Sequence, residues 1–338
     1  MLAAILIAAG FFVFFQASEP SYQGKTLTAW IDEYIALNAA NPYRFQGADL
    51  EKHAAVTAAF KEMGTNCIPF IFQRLERQDA PIQTRYRDAW PKFPGLLRRI
   101  LPNPKPVLDE NSANTLISYA GSFSPEFFLP TSKSTSSTAR QVAAENIMHS
   151  LHLDAPEAEV LLLMPRLIEL LQDSNKMVRL FSAGALEKIG PRASNAVPAL
   201  TSALNDNDLD PSSGLKVYAR AWEITALGRI GPAADSAVPT LQTLLNDPDG
   251  DLRWKAALAI WQIDSNAEVS VPVMVRQLPT SHEKWGLVVT LGRMGPLARD
   301  AVPALEKELD GAAPYLRTEI TNALLRIDPE AAAKLGAK

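Results

Sequence analysis

Cysteine is almost missing from this 338-residue chain, whose only thiol is that of Cys67. A single cysteine excludes an internal disulfide bond and the thiolate clusters that bind zinc or iron–sulfur centres. Histidine is also scarce, with four residues in total. His149 and His152 lie one helical turn apart, but no further ligand pair accompanies them. We therefore expect no bound metal and no other cofactor.

The chain also lacks a strong charge of either sign and lacks a catalytic motif. Its 33 Lys and Arg residues oppose 37 Asp and Glu residues, and the formal net charge is −4. This balance gives no reason to expect nucleic acid as the main partner. The sequence contains no phosphate-binding loop, nucleophile elbow or zinc-protease helix. We expect a protein that is not an enzyme and has no catalytic residues.

Charge is completely missing from residues 1–15, which are almost all apolar. As a helix they would span about 22 Å, less than the roughly 30 Å of a bilayer's hydrocarbon core. This length is typical of a secretory signal or a short anchor, although no basic residue precedes the run and no good cleavage site follows it. The alternative is a buried N-terminal helix. We expect residues 1–17 to form a signal or membrane anchor, with residues 1–15 reaching the membrane, and the protein to lie in the cell envelope.

One sequence motif occurs three times in the second half of the chain. Gly190-Pro191, Gly231-Pro232 and Gly295-Pro296 are each followed five residues later by Ala-Val-Pro and an apolar segment. Glycine permits the left-handed conformation that ends a helix, and the following proline prevents its continuation. Prolines near the start of these apolar segments repeat at intervals of 33, 41, 33 and 31 residues: Pro165, Pro198, Pro239, Pro272 and Pro303. The long interval contains an inserted polar loop at residues 205–214.

Each unit contains two stretches with the apolar spacing of a helix, which predicts a helix pair. Asp173 precedes Arg179 by six residues, and Asp247 precedes Arg253 by the same distance. Together these features resemble HEAT repeats, in a compact form similar to that of phycobilin-lyase-type repeat proteins. The resemblance covers about residues 140–338. It implies an all-α fold, an α-solenoid of HEAT-like helix pairs whose second helices line the concave side.

The resemblance also implies a structural ladder in which acidic and arginine side chains link neighbouring turns. Lys284 replaces the arginine of one copy, and the inserted loop separates Arg220 from its expected acidic partner. The predicted ladder residues are Asp173, Arg179, Arg220, Asp247, Arg253, Asp310 and Arg317.

A second series of cations lies two residues before the closing position of each second helix, with Gln262 interrupting it. Such cations interact favourably with a helix C-terminus, but in a solenoid they could also form a stripe that binds an acidic partner. Tryptophan recurs near the starts of the same helices, where it could pack in the core or anchor a partner. The candidate binding residues are Lys188, Trp222, Arg229, Trp254, Trp285, Arg293 and Arg326.

The first half of the chain is less regular. Residues 18–101 are expected to be helical, with a degenerate repeat at residues 63–70. Residues 74–105 carry eight Lys or Arg against three Asp or Glu, with aromatic residues between them. They could form a solvated helix face or a surface for anionic lipid, glycan or nucleic acid. Residues 102–139 are rich in Pro, Ser and Thr and are expected to be a partly disordered insertion, followed by the repeat solenoid at 140–338.

These observations favour a non-enzymatic interaction scaffold of the cell envelope that binds a protein or peptide partner. The cationic stripe would favour an acidic partner. The alternative is an enzyme resembling the HEAT-type bilin lyases, in which the solenoid holds a tetrapyrrole. The single cysteine and the lack of a polar catalytic cluster argue against that alternative.

Overall fold

A computed structural model describes residues 18–40, 48–205 and 215–336. The chain divides into two compact units, one ending at Leu151 (unit 1) and one beginning at His152 (unit 2). Across the described ranges, the fold consists of helices. The only strands there are β1 (Ser21–Tyr22) and β2 (Lys25–Thr26), which form a short antiparallel hairpin. The predicted all-α class is confirmed.

The predicted signal or anchor at 1–17 lies outside the described residues. Within the described part of the chain, no helix is long and apolar enough to cross a membrane.

Unit 1 packs five of its helices around an apolar core. Its helices are α1 (Leu27–Ala40), α2 (Ala48–Met63), α3 (Ile68–Asp79), α4 (Pro81–Ala89), α5 (Gly95–Ile100), α6 (Glu110–Ala120) and α7 (Ser137–Ser150). Phe60 of α2, Ile71 of α3 and Ile147 of α7 are fully buried. Helices α4 and α5 contribute no buried residue, so they lie outside this core.

The degenerate repeat has the backbone geometry of the complete ones. Gly64 adopts a left-handed φ of 53°, and a 3₁₀ segment at Gly64–Cys67 leads into α3. Gly190, Gly231 and Gly295 adopt the same kind of conformation, with φ of 62°, 75° and 60°. Each begins a seven-residue 3₁₀ segment that leads into the next helix. All four glycines therefore end a helix in the left-handed conformation, but the segment after Gly64 is three residues shorter and has no proline at its second position.

The expectation of a partly disordered insertion at 102–139 is wrong. Leu108 and Phe128 are fully buried, and helix α6 lies between them in the sequence. Gln78 Nε2 donates to Leu108 O at 2.7 Å, and Leu108 N donates to Gln78 Oε1 at 2.9 Å. Polar residues serve as helix caps here, since Asp109 accepts from Ser112 N and Ser136 accepts from Ala139 N. This segment belongs to unit 1, whose boundary lies at Leu151 and not at 139.

Unit 2 consists of five successive helix pairs and a closing helix within its described residues. The first helices are α8 (Glu157–Leu170), α10 (Val197–Leu204), α12 (Val238–Leu244), α14 (Ala267–Gln277) and α16 (Val302–Leu309). The second helices are α9 (Lys176–Ile189), α11 (Leu215–Ile230), α13 (Gly250–Asp264), α15 (Lys284–Met294) and α17 (Pro314–Ile327), and α18 (Pro329–Gly336) follows. The predicted solenoid of helix pairs is confirmed.

Successive second helices approach each other closely where small residues meet. A Cβ atom added to Gly228 of α11 would lie 3.0 Å from Ala259 Cα of α13. A Cβ added to Gly292 of α15 would lie 2.9 Å from Ala323 Cα of α17. The matching position of α13 is Trp261, and α13 and α15 are the least closely packed pair of successive second helices. Side-chain size at this position does not decide the packing alone, since α9 carries Glu187 there and packs closely against α11.

Two glycines of the same helix test this packing. We expect Gly292→Ala to lower the free energy of unfolding by about 1–3 kcal/mol, because its methyl group would collide with the backbone of α17. Gly286→Ala is the matched control, since its Cβ would lie 3.5 Å from Trp254 Cη2, an ordinary contact. We expect it to be neutral or stabilising by up to about 1 kcal/mol. Urea unfolding measures both, and equal effects would contradict the close-packing account.

Candidate protein-binding surface

The four predicted cations lie in the last turns of four second helices. Each is the last but one residue of its helix: Lys188 of α9, Arg229 of α11, Arg293 of α15 and Arg326 of α17. The three arginines are exposed, and Lys188 is half-buried. We call these four residues the cation row. Each lies beside the negative end of a helix dipole, an arrangement that stabilises exposed cations modestly.

One member of the cation row also links two helices. Arg229 Nε donates to Glu187 Oε1 at 2.9 Å, so the end of α11 is tied to the end of α9. Exposed ion pairs of this kind contribute little to stability, because water screens them. Arg229 therefore has a structural contact, and its exposed side chain remains accessible to a partner.

The tryptophans differ from one another in exposure. Trp254 is 5% exposed and packs with Leu287 and Val288 in the core of unit 2, so its expected role as a surface anchor is wrong. Lys255 Nζ lies 4.4 Å from the centre of its ring. Trp222 is half-buried, and Trp285 is 53% exposed. Of the three, Trp285 is the most accessible to a partner.

Two exposed apolar side chains near the end of the stack were missed by sequence reasoning. Tyr315 is the second residue of α17, and Leu325 precedes Arg326 near the end of the same helix; both are exposed. Leu325 occupies the position at which Gly228 and Gly292 contact the next second helix. Counting back three residues from the closing residue of each unit could have identified Leu325 as the equivalent position of the last second helix.

Two of the ladder arginines, Arg220 and Arg253, contact the neighbouring turn through their side chains. Arg220 Nη1 lies 3.3 Å from Asp247 Oδ2 of the next turn, and its Nη2 donates to Leu204 O at 3.1 Å. Arg253 donates to the Asp247 carbonyl at 2.7 Å and to Gln277 Oε1 at 2.8 Å. Arg220 thus finds its acidic partner one unit further along the chain, not within its own.

The two ends of the ladder differ. At the start, Arg179 Nη1 donates to the backbone carbonyl of Asp173 at 2.6 Å. In the fifth pair, Arg317 and Asp310 are both exposed, and neither side chain bonds another described residue. The expected ladder contact of Arg317 with Asp310 is therefore wrong. Within the described residues, the short helix α18 is the element that follows α17.

This difference gives a matched test. We expect Arg220→Ala to lower the free energy of unfolding by about 1–3 kcal/mol, because it leaves the mostly buried Asp247 carboxylate without its cation. Arg317→Ala should cost less than about 0.5 kcal/mol, since Arg317 is exposed. Urea unfolding checks both variants. A double-mutant cycle with Asp247→Ala should give a coupling of at least about 0.5 kcal/mol, and additive effects would contradict the proposed contact.

The chemistry available to an enzyme is limited in the described residues. Among them, no group of three His, Cys, Asp or Glu side chains is placed to hold a metal ion. The Cys67 thiol is fully buried and donates to Gly64 O at 2.9 Å. Burial raises the pKa of Cys67 to about 12, so the thiol stays protonated at neutral pH and is a poor nucleophile.

Residues 163–193, which include most of α8 and all of α9, match the family model of the HEAT repeat. This chain contains a HEAT repeat. The family resemblance is thereby confirmed, while the closer likeness to phycobilin-lyase-type repeats stays a prediction.

Similar solved structures are engineered repeat proteins and other engineered proteins. One engineered protein is 18% identical, with 90% of this chain and 91% of that chain covered and a TM-score of 0.44. A designed armadillo repeat protein is 16% identical, with coverage of 61% and 100% and a TM-score of 0.43. Another, in complex with the peptide (KR)4, is 15% identical, with coverage of 76% and 99% and a TM-score of 0.34. No curated protein matches the chain significantly.

Proposed function

We propose that this protein is a non-enzymatic scaffold that binds an acidic protein segment along the second helices of unit 2. The observation that carries the proposal is the recurrence of exposed arginine at one position of three second helices, Arg229, Arg293 and Arg326. Repeat proteins commonly use such aligned positions as extended binding surfaces. Trp285 and Tyr315 add exposed aromatic area to the same helices, and such residues often anchor a partner.

The spacing of the cation row suits an extended acidic peptide. Packed helices lie about 8–10 Å apart, so cations on neighbouring second helices are separated by about that distance. An extended peptide advances about 3.3 Å per residue, so acidic residues three positions apart would match two neighbouring cations. Gln262 stands in the row between Arg229 and Arg293. The favoured segment therefore has two pairs of acidic residues separated by an uncharged stretch.

No observation favours the alternative of a bilin-lyase-like enzyme. Attachment chemistry at a protein thiol would need a reactive group, and the one thiol of this chain is buried and protonated. The described residues also lack a metal-binding cluster. The scaffold proposal requires neither.

The binding test uses the full chain and a labelled peptide with two pairs of glutamates, three positions apart within each pair and separated by an uncharged stretch. We expect Arg293→Glu with Arg326→Glu to weaken binding at least about tenfold, because two attractive contacts become repulsive. Lys307→Glu with Arg317→Glu is the matched control, since both residues are exposed, lie outside the cation row and give the same change in net charge. Fluorescence anisotropy measures affinity, and thermal unfolding checks that all variants fold.

Three outcomes would contradict the proposal. The original chain could fail to bind the peptide at any concentration tested. The control pair could weaken binding as much as the row pair, which would indicate only long-range charge. The peptide with glutamine in place of glutamate could bind equally well, which would exclude an acidic preference.

The proposed location is the cell envelope, and the uncharged, apolar character of residues 1–15 supports it. We expect the full chain in the membrane or exported fraction, and a version beginning at Ser18 in the soluble cytoplasmic fraction. Cell fractionation with blotting measures both. Equal recovery of the two versions as soluble cytoplasmic protein would contradict the proposed location.

A further inference from the structure

One part of unit 1 exposes an unusual number of large apolar side chains. Helices α4 and α5 bury none of their residues. Ile82 is 75% exposed, Leu96 70% and Ile100 71%, and Leu97, Leu101 and Val107 are also exposed. Single exposed apolar residues are ordinary, but a group of six within a short segment marks an interaction site. We call residues 81–107 the apolar–basic surface.

The same surface is strongly basic, although the whole chain is slightly acidic. Between residues 81 and 107 there is one acidic residue, Asp88, and six basic ones: Arg85, Arg87, Lys92, Arg98, Arg99 and Lys105. Arg98 and Arg99 lie in α5 directly between the exposed Leu97 and Ile100. Apolar and cationic groups therefore alternate on one short exposed helix.

Internal contacts hold this surface in a defined form. Tyr86, Trp90 and Phe93 form a three-ring cluster with centroid distances of 5.7 to 6.1 Å. Tyr86 also donates to Pro102 O at 2.6 Å, which joins α4 to the proline-rich segment after α5. Arg74 of α3 donates to Pro106 O at 2.8 Å and so ties the end of that segment to the body of unit 1. These ring contacts and hydrogen bonds thus hold the exposed residues in place on unit 1.

The apolar–basic surface also lies beside the point where the N-terminal segment enters unit 1. A cavity of about 850 Å³ is lined by Glu19 together with Ile82, Tyr86 and Leu101. Glu19 follows Phe15, the last residue of the apolar run, by four positions. At most about 14 Å of extended chain therefore separates Phe15 from Glu19 in this cavity.

We propose that the apolar–basic surface lies against an anionic membrane. Its leucine and isoleucine side chains enter the headgroup region, and its arginine and lysine side chains pair with lipid phosphates. A nucleic acid would satisfy the cations but would leave Leu96 and Ile100 exposed to water, so the apolar residues favour lipid. The inference rests on the proposed envelope location, and it is independent of peptide binding by the cation row.

The test measures the surface locally in the full chain. Vesicles containing about 30% phosphatidylglycerol are compared with vesicles of phosphatidylcholine alone and with no vesicles. Hydrogen–deuterium exchange at short labelling times, read by mass spectrometry, reports residues 95–101. We expect exchange in this segment to slow at least about threefold on the anionic vesicles compared with either reference. A local readout is needed because residues 1–15 could hold the chain on any vesicle.

Two variants with the same change in net charge test whether the arginines of α5 cause the slower exchange. Arg98→Glu with Arg99→Glu should abolish the slowing that anionic lipid causes, whereas Lys307→Glu with Arg317→Glu in unit 2, at two exposed residues outside the cation row, should retain it. Arg98 and Arg99 are exposed, so little loss of stability is expected, and thermal unfolding checks this. Leu96→Ser with Ile100→Ser should also reduce the slowing, which a purely electrostatic contact would not predict.

Several results would overturn the proposal. Equal exchange with and without anionic vesicles would exclude the membrane contact. Slow exchange already present without vesicles would show that another part of the chain covers this surface. Slowing by a single-stranded oligonucleotide but not by vesicles would assign the surface to nucleic acid. Failure of the envelope location itself would appear separately, as soluble full-length protein in cell fractionation.

Discussion

The close approach of neighbouring second helices is the constraint on which the rest of unit 2 depends. Where Gly228 faces Ala259 and Gly292 faces Ala323, two helix backbones come nearly into contact. Such contact fixes the level of one helix relative to the next, because a shift along the axis would bring larger side chains into the same narrow space. The packing therefore sets the relative levels of α15 and α17, whose last turns carry Arg293 and Arg326.

The third helix pair of unit 2, α12 with α13, shows what happens when this constraint is relaxed. It has Trp261 in place of the small residue, Gln262 in place of the cation and Asp264 in place of the closing glycine. Ser265 supplies the left-handed residue instead, with φ of 60°. Trp254 of the same copy fills the space toward α15, opposite Gly286. The looser contact and the break in the cation row thus occur together, and they divide unit 2 into two more closely packed parts.

The sequence predicted what local chemistry determines and missed what neighbouring side chains determine. Gly-Pro closures and helical apolar spacing were enough to predict the helix pairs, because each signal acts within a few residues. Trp254 and Trp285 occupy equivalent places, yet only one is buried, since burial depends on the helix packed against each. The 102–139 segment was misread because serine and aspartate are common both in disordered chains and in helix caps. Arg229 was predicted as a surface residue, but its partner Glu187 lies 42 positions away and only the fold brings them together.

The burial of Cys67 gives this protein a built-in reporter of its own unfolding. The only thiol of the chain lies in the core of unit 1, and unit 2 contains no cysteine at all. A thiol reagent therefore reads the opening of unit 1 alone, whatever happens in the repeat stack. Circular dichroism, by contrast, follows the helices of both units. Labelling rates compared with ellipticity at each urea concentration would show whether the two halves of the chain unfold together or in separate steps.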